Sequence, residues 1–272
     1  NSFRTRDDSL AALAKHPHLV SDVPLDFVQG RVPRLDPETF APVSWPPDRS
    51  CEWCPPGHGD IYVSLRTSGM LDRLLARGYR YAFVSNADNL GAVFDLDLLG
   101  WIAQNSVPFV MEVTERTEAD RKGGHLAKLR DGRLVLRESA QCPPDETDDF
   151  QDVTRHRFCN TNNLWVDLRV LDHSLREKGD VLPLPIIRNE KAVDPGDPAS
   201  PRCLQIETAM GAAISVIDGA RAVRVSRARF APVKTTNDLL VLWSDAYEVL
   251  ADARVVPSPR RSLPPVEVDL DP

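Results

Sequence analysis

Several features that would fix the class of this protein at once are missing from its sequence. No apolar run approaches the length needed to cross a bilayer, which argues against a helical membrane protein. Residues 1–8, Asn-Ser-Phe-Arg-Thr-Arg-Asp-Asp, hold no apolar signal core. An excess of positive charge is absent too: 33 Lys+Arg face 40 Asp+Glu, a net charge of −7. That balance disfavours a nucleic-acid scaffold, because a phosphate backbone wants a basic face. It leaves room for a single nucleotide, which needs only a few local cations. Cysteine is scarce, and the five present (Cys51, Cys54, Cys142, Cys159, Cys203) are odd in number and scattered. They read as reduced thiols rather than a disulfide framework, and the expected location is the cytoplasm. Internal repeats, low-complexity tracts, a G-x-S-x-G elbow and a G-x-x-x-x-G-K-[ST] phosphate loop are all absent.

What remains is an ordinary globular balance over 272 residues, 42% hydrophobic and 27% charged. A short helix is expected from Thr5, capped by its hydroxyl and stopped at His16-Pro17. Residues 21–56 are rich in proline and read as an ordered surface excursion, with a short strand at 25–28 and with Phe27, Phe40, Trp45 and Trp53 needing burial. Residues 60–77 read as one helix capped by Asp60 and ended by Gly78. A strand at 79–85, a polar loop at 86–91, a helix at 95–104 and a strand at 108–114 follow, the order of a doubly wound, mostly parallel sheet. Asp131-Gly132 between two short runs predicts a hairpin over 126–138. Helices are expected at 167–178, 207–217 and 237–249, and a strand at 222–226. The fold class is therefore α/β, a mixed and mostly parallel sheet with flanking helices and a small β-hairpin insertion. Residues 1–256 are expected to form one domain, and 257–272 an extended tail.

Six short blocks have residue types suited to chemistry. In Pro55-Pro56-Gly57-His58-Gly59-Asp60, two glycines flank a histidine just before a predicted helix. That arrangement lets backbone approach a ligand, and it equally makes a plain turn. Asn86-Ala87-Asp88-Asn89-Leu90-Gly91 follows a strand, where a carboxylate can hold Mg²⁺ against a polyphosphate or simply form an Asx-turn. Lys122-Gly123-Gly124 suits close approach to a sugar or phosphate, or a turn. Asn160-Thr161-Asn162-Asn163 offers uncharged donors and acceptors to sugar hydroxyls, or a strand-to-helix turn. Glu207, in Gln205-Ile206-Glu207-Thr208-Ala209-Met210-Gly211, can accept from two hydroxyls or favour a helix dipole. Lys234, in Pro232-Val233-Lys234-Thr235-Thr236-Asn237-Asp238-Leu239, can meet phosphate oxygens or lie solvated beside an N-cap. Cys51-Glu52-Trp53-Cys54 has zinc-pair spacing but lacks a second Cys/His pair at a suitable distance.

The order of these blocks, together with Phe109-Val110-Met111-Glu112-Val113-Thr114, resembles the UTP–glucose-1-phosphate uridylyltransferase family, the eukaryotic UDP-glucose pyrophosphorylase branch. The resemblance runs along the whole chain. It implies a Rossmann-like nucleotidyltransferase fold and a Mg²⁺-dependent reaction of UTP with glucose 1-phosphate, giving UDP-glucose and pyrophosphate. It implies that Gly57, Asn86 and Asp88 meet the nucleotide, with Asp88 also the metal ligand. His58, Gly123, Gly124, Asn162 and Glu207 would line the sugar side, and Lys234 would be the catalytic cation. No nucleic acid or membrane partner is implied, and the oligomeric state stays open. The chain departs from the family pattern in lacking an N-terminal Gly-rich loop with its phosphate-binding lysine and a C-terminal β-helix. The expectation is thus the middle of a larger enzyme. The alternatives are a UDP-N-acetylhexosamine pyrophosphorylase, whose block differs where Pro-Pro-Gly-His-Gly-Asp stands here, and a non-catalytic sugar-nucleotide-binding fragment.

Overall fold

A computed structural model describes residues 1–19, 21–251 and 254–259. The chain opens with α1 (Arg6–Leu13), β1 (Val32–Pro33), β2 (Trp53–Cys54), α2 (Ile61–Thr67) and α3 (Met70–Ala76). It continues through β3 (Tyr81–Val84), α4 (Leu96–Gln104), β4 (Phe109–Glu115), β5 (His125–Lys128) and β6 (Leu134–Arg137). Next come α5 (Thr147–Gln151), β7 (Phe158–Asp167), α6 (Leu168–Glu177), β8 (Ile186–Ala192) and β9 (Arg202–Thr208). The last elements are β10 (Arg221–Arg224), α7 (Thr236–Trp243), β11 (Tyr247–Val249) and β12 (Val255–Pro257). The chain divides into two compact units, residues 1–82 with 167–218, and residues 83–166 with 219–272. Of the expected tail, residues 260–272 lie outside the described residues.

The first unit is built on helices. The α6 helix starts because the Asp167 carboxylate accepts from the Arg169 and Val170 amides. Its Leu168, Leu171 and Leu175, spaced three and four apart, are buried where it packs against α2 and α3. The single helix expected over 60–77 breaks into α2 and α3 because Gly69 turns the chain with φ +72°. Asp60 does not cap it, since its carboxylate instead accepts from the Gly30 amide (2.7 Å) and the Ser64 hydroxyl (2.5 Å). Thr5 likewise leaves α1 uncapped and accepts from the Ser2 amide. No strand forms at 25–28. Phe40, expected inside, is exposed, and Cys51, Val193 and Cys203 form the buried knot of this region against Val43 and Trp45. The helix expected at 207–217 is replaced by β9 and a buried 3₁₀ turn, Met210–Ser215. The full seven-residue ladder with β8 takes up Arg202–Thr208, and pairing outweighs local helix propensity.

The second unit is a sheet in the order β10-β4-β7-β5-β6, and the Phe83–Val84 end of β3 belongs to it. The architecture is mixed α/β, as expected, but the mostly parallel sheet is not found among the pairings whose register is described. β10 runs parallel to β4, whereas β4 with β7, β5 with β6 and β5 with β7 are antiparallel. The reason is the hairpin. After β4 the chain makes β5 and β6, turning at Gly132 (φ +92°), and returns as β7 between β4 and β5. The core of this unit includes Ile102, Phe109, Met111, Leu164 and Trp165, all nearly inaccessible. Trp165 lies 4.6 Å from Phe83 and 5.1 Å from Phe94, ring centre to ring centre. Asp95 caps α4 by accepting from the Asp97 and Leu98 amides. Among the described residues, no helix is long and apolar enough to cross a membrane.

Candidate functional site

The first unit gathers Gly57, His58 and Glu207. The Pro56 carbonyl accepts from the Thr208 amide (2.9 Å), laying the Gly57-His58-Gly59 turn on the end of β9. Gly57 has φ +83°, and a Cβ there would stand 2.6 Å from the Thr208 carbonyl and 2.9 Å from the Glu207 Cβ. Gly59 is closed in the same way, with Thr208 Oγ1 standing where an added Cβ would need to go. Both glycines are therefore demanded by contact with β9 and not merely by the turn. His58 accepts the Met210 amide on Nδ1 (3.0 Å), while the buried Tyr62 hydroxyl donates to the Met210 carbonyl (2.7 Å). Burial raises the Tyr62 phenol far above its ordinary range, so it stays a neutral donor. Glu207 is half-buried near the end of a strand, not at a helix start.

The second unit gathers the remaining candidates. Asn86 and Asp88 sit in the loop after β3, and Lys234 sits just before α7. The two segments are joined by backbone: the Val233 amide donates to the Asp88 carbonyl (2.9 Å) and the Leu90 amide to the Ala231 carbonyl (3.1 Å). Asn89 and Pro232 form the bridge between them. Asp88 and Lys234 thus lie on neighbouring, hydrogen-bonded stretches. Among the described residues, the Lys234 ammonium makes no ion pair within 4 Å. Its amide, with that of Thr235, donates to the Asp238 carboxylate in a capping box that starts α7.

Gly124 lies against Glu138, whose Oε2 would be 2.6 Å from an added Cβ. Burial pushes the Glu138 carboxyl above its ordinary range, and the nearby charge of Lys234 opposes that rise. The loop holding Gly123 is braced by Arg116, a buried guanidinium that donates to four carbonyls, those of Asp120, Arg121, Phe150 and His156. The Gly123 amide donates to the Asp120 carbonyl (2.9 Å). Asn162 is neither in a terminal turn nor at a helix. It forms a bulge in mid-strand, with φ +57°, where residues 161–163 of β7 face the single Glu112 of β4. The Asn160 amide side chain donates to Asn162 Oδ1 (2.7 Å), and the Asn162 backbone returns a bond to Asn160 Oδ1 (2.9 Å).

Comparison with known proteins matches this chain over residues 1–271 to the family described as UTP–glucose-1-phosphate uridylyltransferase. The chain belongs to that family. It is 42% identical over 97% of its length to the Solanum tuberosum UTP–glucose-1-phosphate uridylyltransferase, covering 54% of that protein. A probable UTP–glucose-1-phosphate uridylyltransferase of Schizosaccharomyces pombe is 40% identical over 96% of the chain, which covers 51% of it. Among solved structures, a Trypanosoma brucei UDP-glucose phosphorylase superposes with TM-score 0.90 at 50% identity, over 94% of this chain and 56% of that one. A Leishmania major UDP-glucose pyrophosphorylase variant in complex with UDP-glucose gives TM-score 0.89 at 47% identity, over 95% and 57%. This member of the uridylyltransferase family therefore spans about half the length of the curated relatives it matches.

Three further residues of this family member, Glu112, Arg229 and Glu138, lie beside the candidate residues without any motif giving them a role. Glu112 carried a signal, since a carboxylate within an apolar strand run must find partners inside. Its Oε1 accepts from Trp165 Nε1 (2.8 Å) and an Arg229 terminal nitrogen (2.6 Å). Its Oε2 accepts from Asn163 Nδ2 (3.0 Å) and Arg229 Nε (2.7 Å). Arg229 and Glu138 carried no comparable signal, because a single charge in a polar stretch is usually solvated.

Proposed function

We propose that this chain carries the sugar-nucleotide and metal-binding part of a UTP–glucose-1-phosphate uridylyltransferase, on a Rossmann-like nucleotidyltransferase core. The observation that carries the reading is the backbone pairing of the Asp88 loop with the Lys234 segment, which puts a carboxylate and a cation that makes no ion pair among the described residues on adjoining stretches. Family membership supplies the substrates: UTP, glucose 1-phosphate, UDP-glucose and pyrophosphate. A phosphate oxygen of glucose 1-phosphate attacks the α-phosphorus of UTP, and the bond to the departing pyrophosphate breaks. No protein nucleophile is required, so the residues position the substrates and offset charge.

Gly57, Asn86 and Asp88 are assigned to the nucleotide, and His58, Gly123, Gly124, Asn162 and Glu207 to the sugar. Lys234 is assigned to the charge that develops on the phosphates. The donor set fits Mg²⁺ held mainly by substrate. Among the described residues, the Asp88 carboxylate takes no side-chain hydrogen bond, and no group of three or more His, Cys, Asp or Glu that could hold a metal is found. Such a set suits an ion bound through one carboxylate plus phosphate oxygens. When bound, Mg²⁺ neutralises phosphate charge. The free thiols are consistent with a cytoplasmic setting.

Calorimetric titration of this chain with UDP-glucose and Mg²⁺ tests the proposal. Saturable binding is expected, and a folded chain that binds nothing would end it. In a turnover assay, glucose 1-phosphate should be preferred to N-acetylglucosamine 1-phosphate. Lys234→Ala should cut turnover by about 10²–10³-fold, the usual cost of losing one group that stabilises transition-state charge, and leave UDP-glucose affinity within about twofold. Equal turnover would remove Lys234 from the chemistry.

A further inference from the structure

The Glu112–Arg229 pair sits where no substrate atom is assigned, yet its bonds radiate into both chemistry-bearing segments. Glu112 is fully inaccessible and the Arg229 side chain is 12% exposed. Removing two charges from water is costly, and an apolar pair of similar volume would often serve stability as well or better. The pattern of bonds gives this pair a different use. Beyond its two bonds to Glu112, Arg229 donates to the Val93 carbonyl (2.9 Å), just past the Asp88 loop, and its Nη1 stands 3.7 Å from Asp95 Oδ2. The Arg229 carbonyl accepts from Asn89 Nδ2 (3.1 Å) and Asn163 Nδ2 (3.4 Å). Asn89 Oδ1 accepts from the Gly91 amide (3.1 Å) and the Ala231 amide (2.9 Å), and Asn89 Nδ2 also donates to Asn163 Oδ1 (3.1 Å). Space is equally fixed, since a Cβ on Gly91 would stand 2.6 Å from the Ala228 carbonyl oxygen. One carboxylate on β4 therefore fixes Arg229, Asn163 and Trp165. Through Arg229 and Asn89 it fixes the register of residues 88–91 against 231–233.

We propose that Glu112 and Arg229 are positioning residues that set the spacing between Asp88 and Lys234 by clamping the Asn89 loop to the Arg229–Val233 stretch. This inference rests on the roles proposed for Asp88 and Lys234 above. Neither Glu112 nor Arg229 touches substrate in this account. The planar, two-pronged guanidinium is essential to the device, because lysine offers a point charge and cannot span both carboxylate oxygens.

The test uses the whole chain, wild type and two variants, Glu112→Gln and the milder Arg229→Lys. Amide hydrogen exchange in the ligand-free protein reads the clamp directly. Protection at the Val233 and Ala231 amides should fall by about tenfold or more, while the β5–β6 hairpin keeps its protection within about twofold. Titration with UDP-glucose, with and without Mg²⁺, reads the consequence: the increment in affinity that Mg²⁺ adds should shrink in both variants. Unchanged protection at Val233 and Ala231 in a folded variant overturns the clamp. So does equal loss of protection in the hairpin, which would make the pair general scaffolding. Lost protection with an unaltered Mg²⁺ increment overturns the positioning role. If Glu112→Gln does not fold, Arg229→Lys carries the same readouts. A wild-type chain that binds no UDP-glucose refutes the proposed function instead, and the exchange data still decide whether the clamp exists.

Discussion

Two ionisable side chains on the same sheet are completely buried, and the molecule treats them in opposite ways. Glu112 on β4 is met by four donors from Asn163, Trp165 and Arg229. His125 on β5 is equally inaccessible, yet neither of its ring nitrogens has a hydrogen-bond partner among the described residues. It is stacked on His156 (4.0 Å between ring centres, 18° between planes) and packed against Phe150 at 4.5 Å. A charge inside a protein needs compensation, whereas an aromatic ring can be kept neutral and used for its shape. Burial, with His156, Arg116 and Arg137 adding unfavourable charge nearby, lowers His125 to about 3. The lesson is that burial alone does not mark a functional ionisable group. Partners drawn from several chain segments do.

The contrast can be broken most forcefully at the satisfied end. Glu112→Ala leaves the largely buried guanidinium of Arg229 with only the Asp95 carboxylate, 3.7 Å away, as counter-charge and should cost about 3 kcal/mol in urea unfolding, the lower end of the usual result of halving a buried pair. A loss below about 1 kcal/mol would mean that Asp95 or water already compensates Arg229.

Acid probes the unsatisfied end. The unfolded chain takes a proton on His125 near 6.5, which the folded chain refuses until about 3. Stability from this group is therefore complete above about pH 6.5 and declines as pH falls, by about 2 kcal/mol at pH 5. The charges around the stack include Arg116, Arg137 and Arg155, with Asp152 nearby and Asp149 3.8 Å from His156 Nε2. Chemical denaturation of His125→Phe at pH 7 and pH 5 should show a markedly smaller difference than wild type. An equal difference would assign the acid sensitivity elsewhere.

The smallest expected effect sharpens the comparison from outside both clusters. Thr235→Ala removes the hydroxyl of the α7 capping box and should cost about 1 kcal/mol without disturbing exchange at Val233. Lost protection there would show that α7, and not the Glu112 network, holds the Lys234 segment.

Elements announced by side-chain chemistry were legible in the sequence. The helices expected to open at Asp95 and Asp167 do start there, each aspartate serving as the N-cap, and Asp131-Gly132 turns the hairpin, whereas the caps expected at Thr5 and Asp60 do not form. Pairing over long distances was not legible. The apolar run after Glu207 suits a helix locally, but β8 claims the residues before it for a strand. The asparagines at 160–163 look like a turn, and only the register slip opposite Glu112 makes them a bulge. Asp88 and Lys234 were picked out separately, and nothing local announced the bridge that joins their segments. The role of Glu112 is not legible locally, because its partners Asn163, Trp165 and Arg229 lie 51, 53 and 117 residues away.

That bridge also has a timetable. Asn89 waits for Ala231, which lies 142 residues further along the chain. At the pace of translation, about 5–20 residues per second, the wait is about 7–30 s. Until residues 229–231 are made, the Asp88 loop lacks its bridge, and Glu112 has at most its bonds from Asn163 and Trp165. The site is thus assembled late in synthesis, whatever the order in which its separate segments fold.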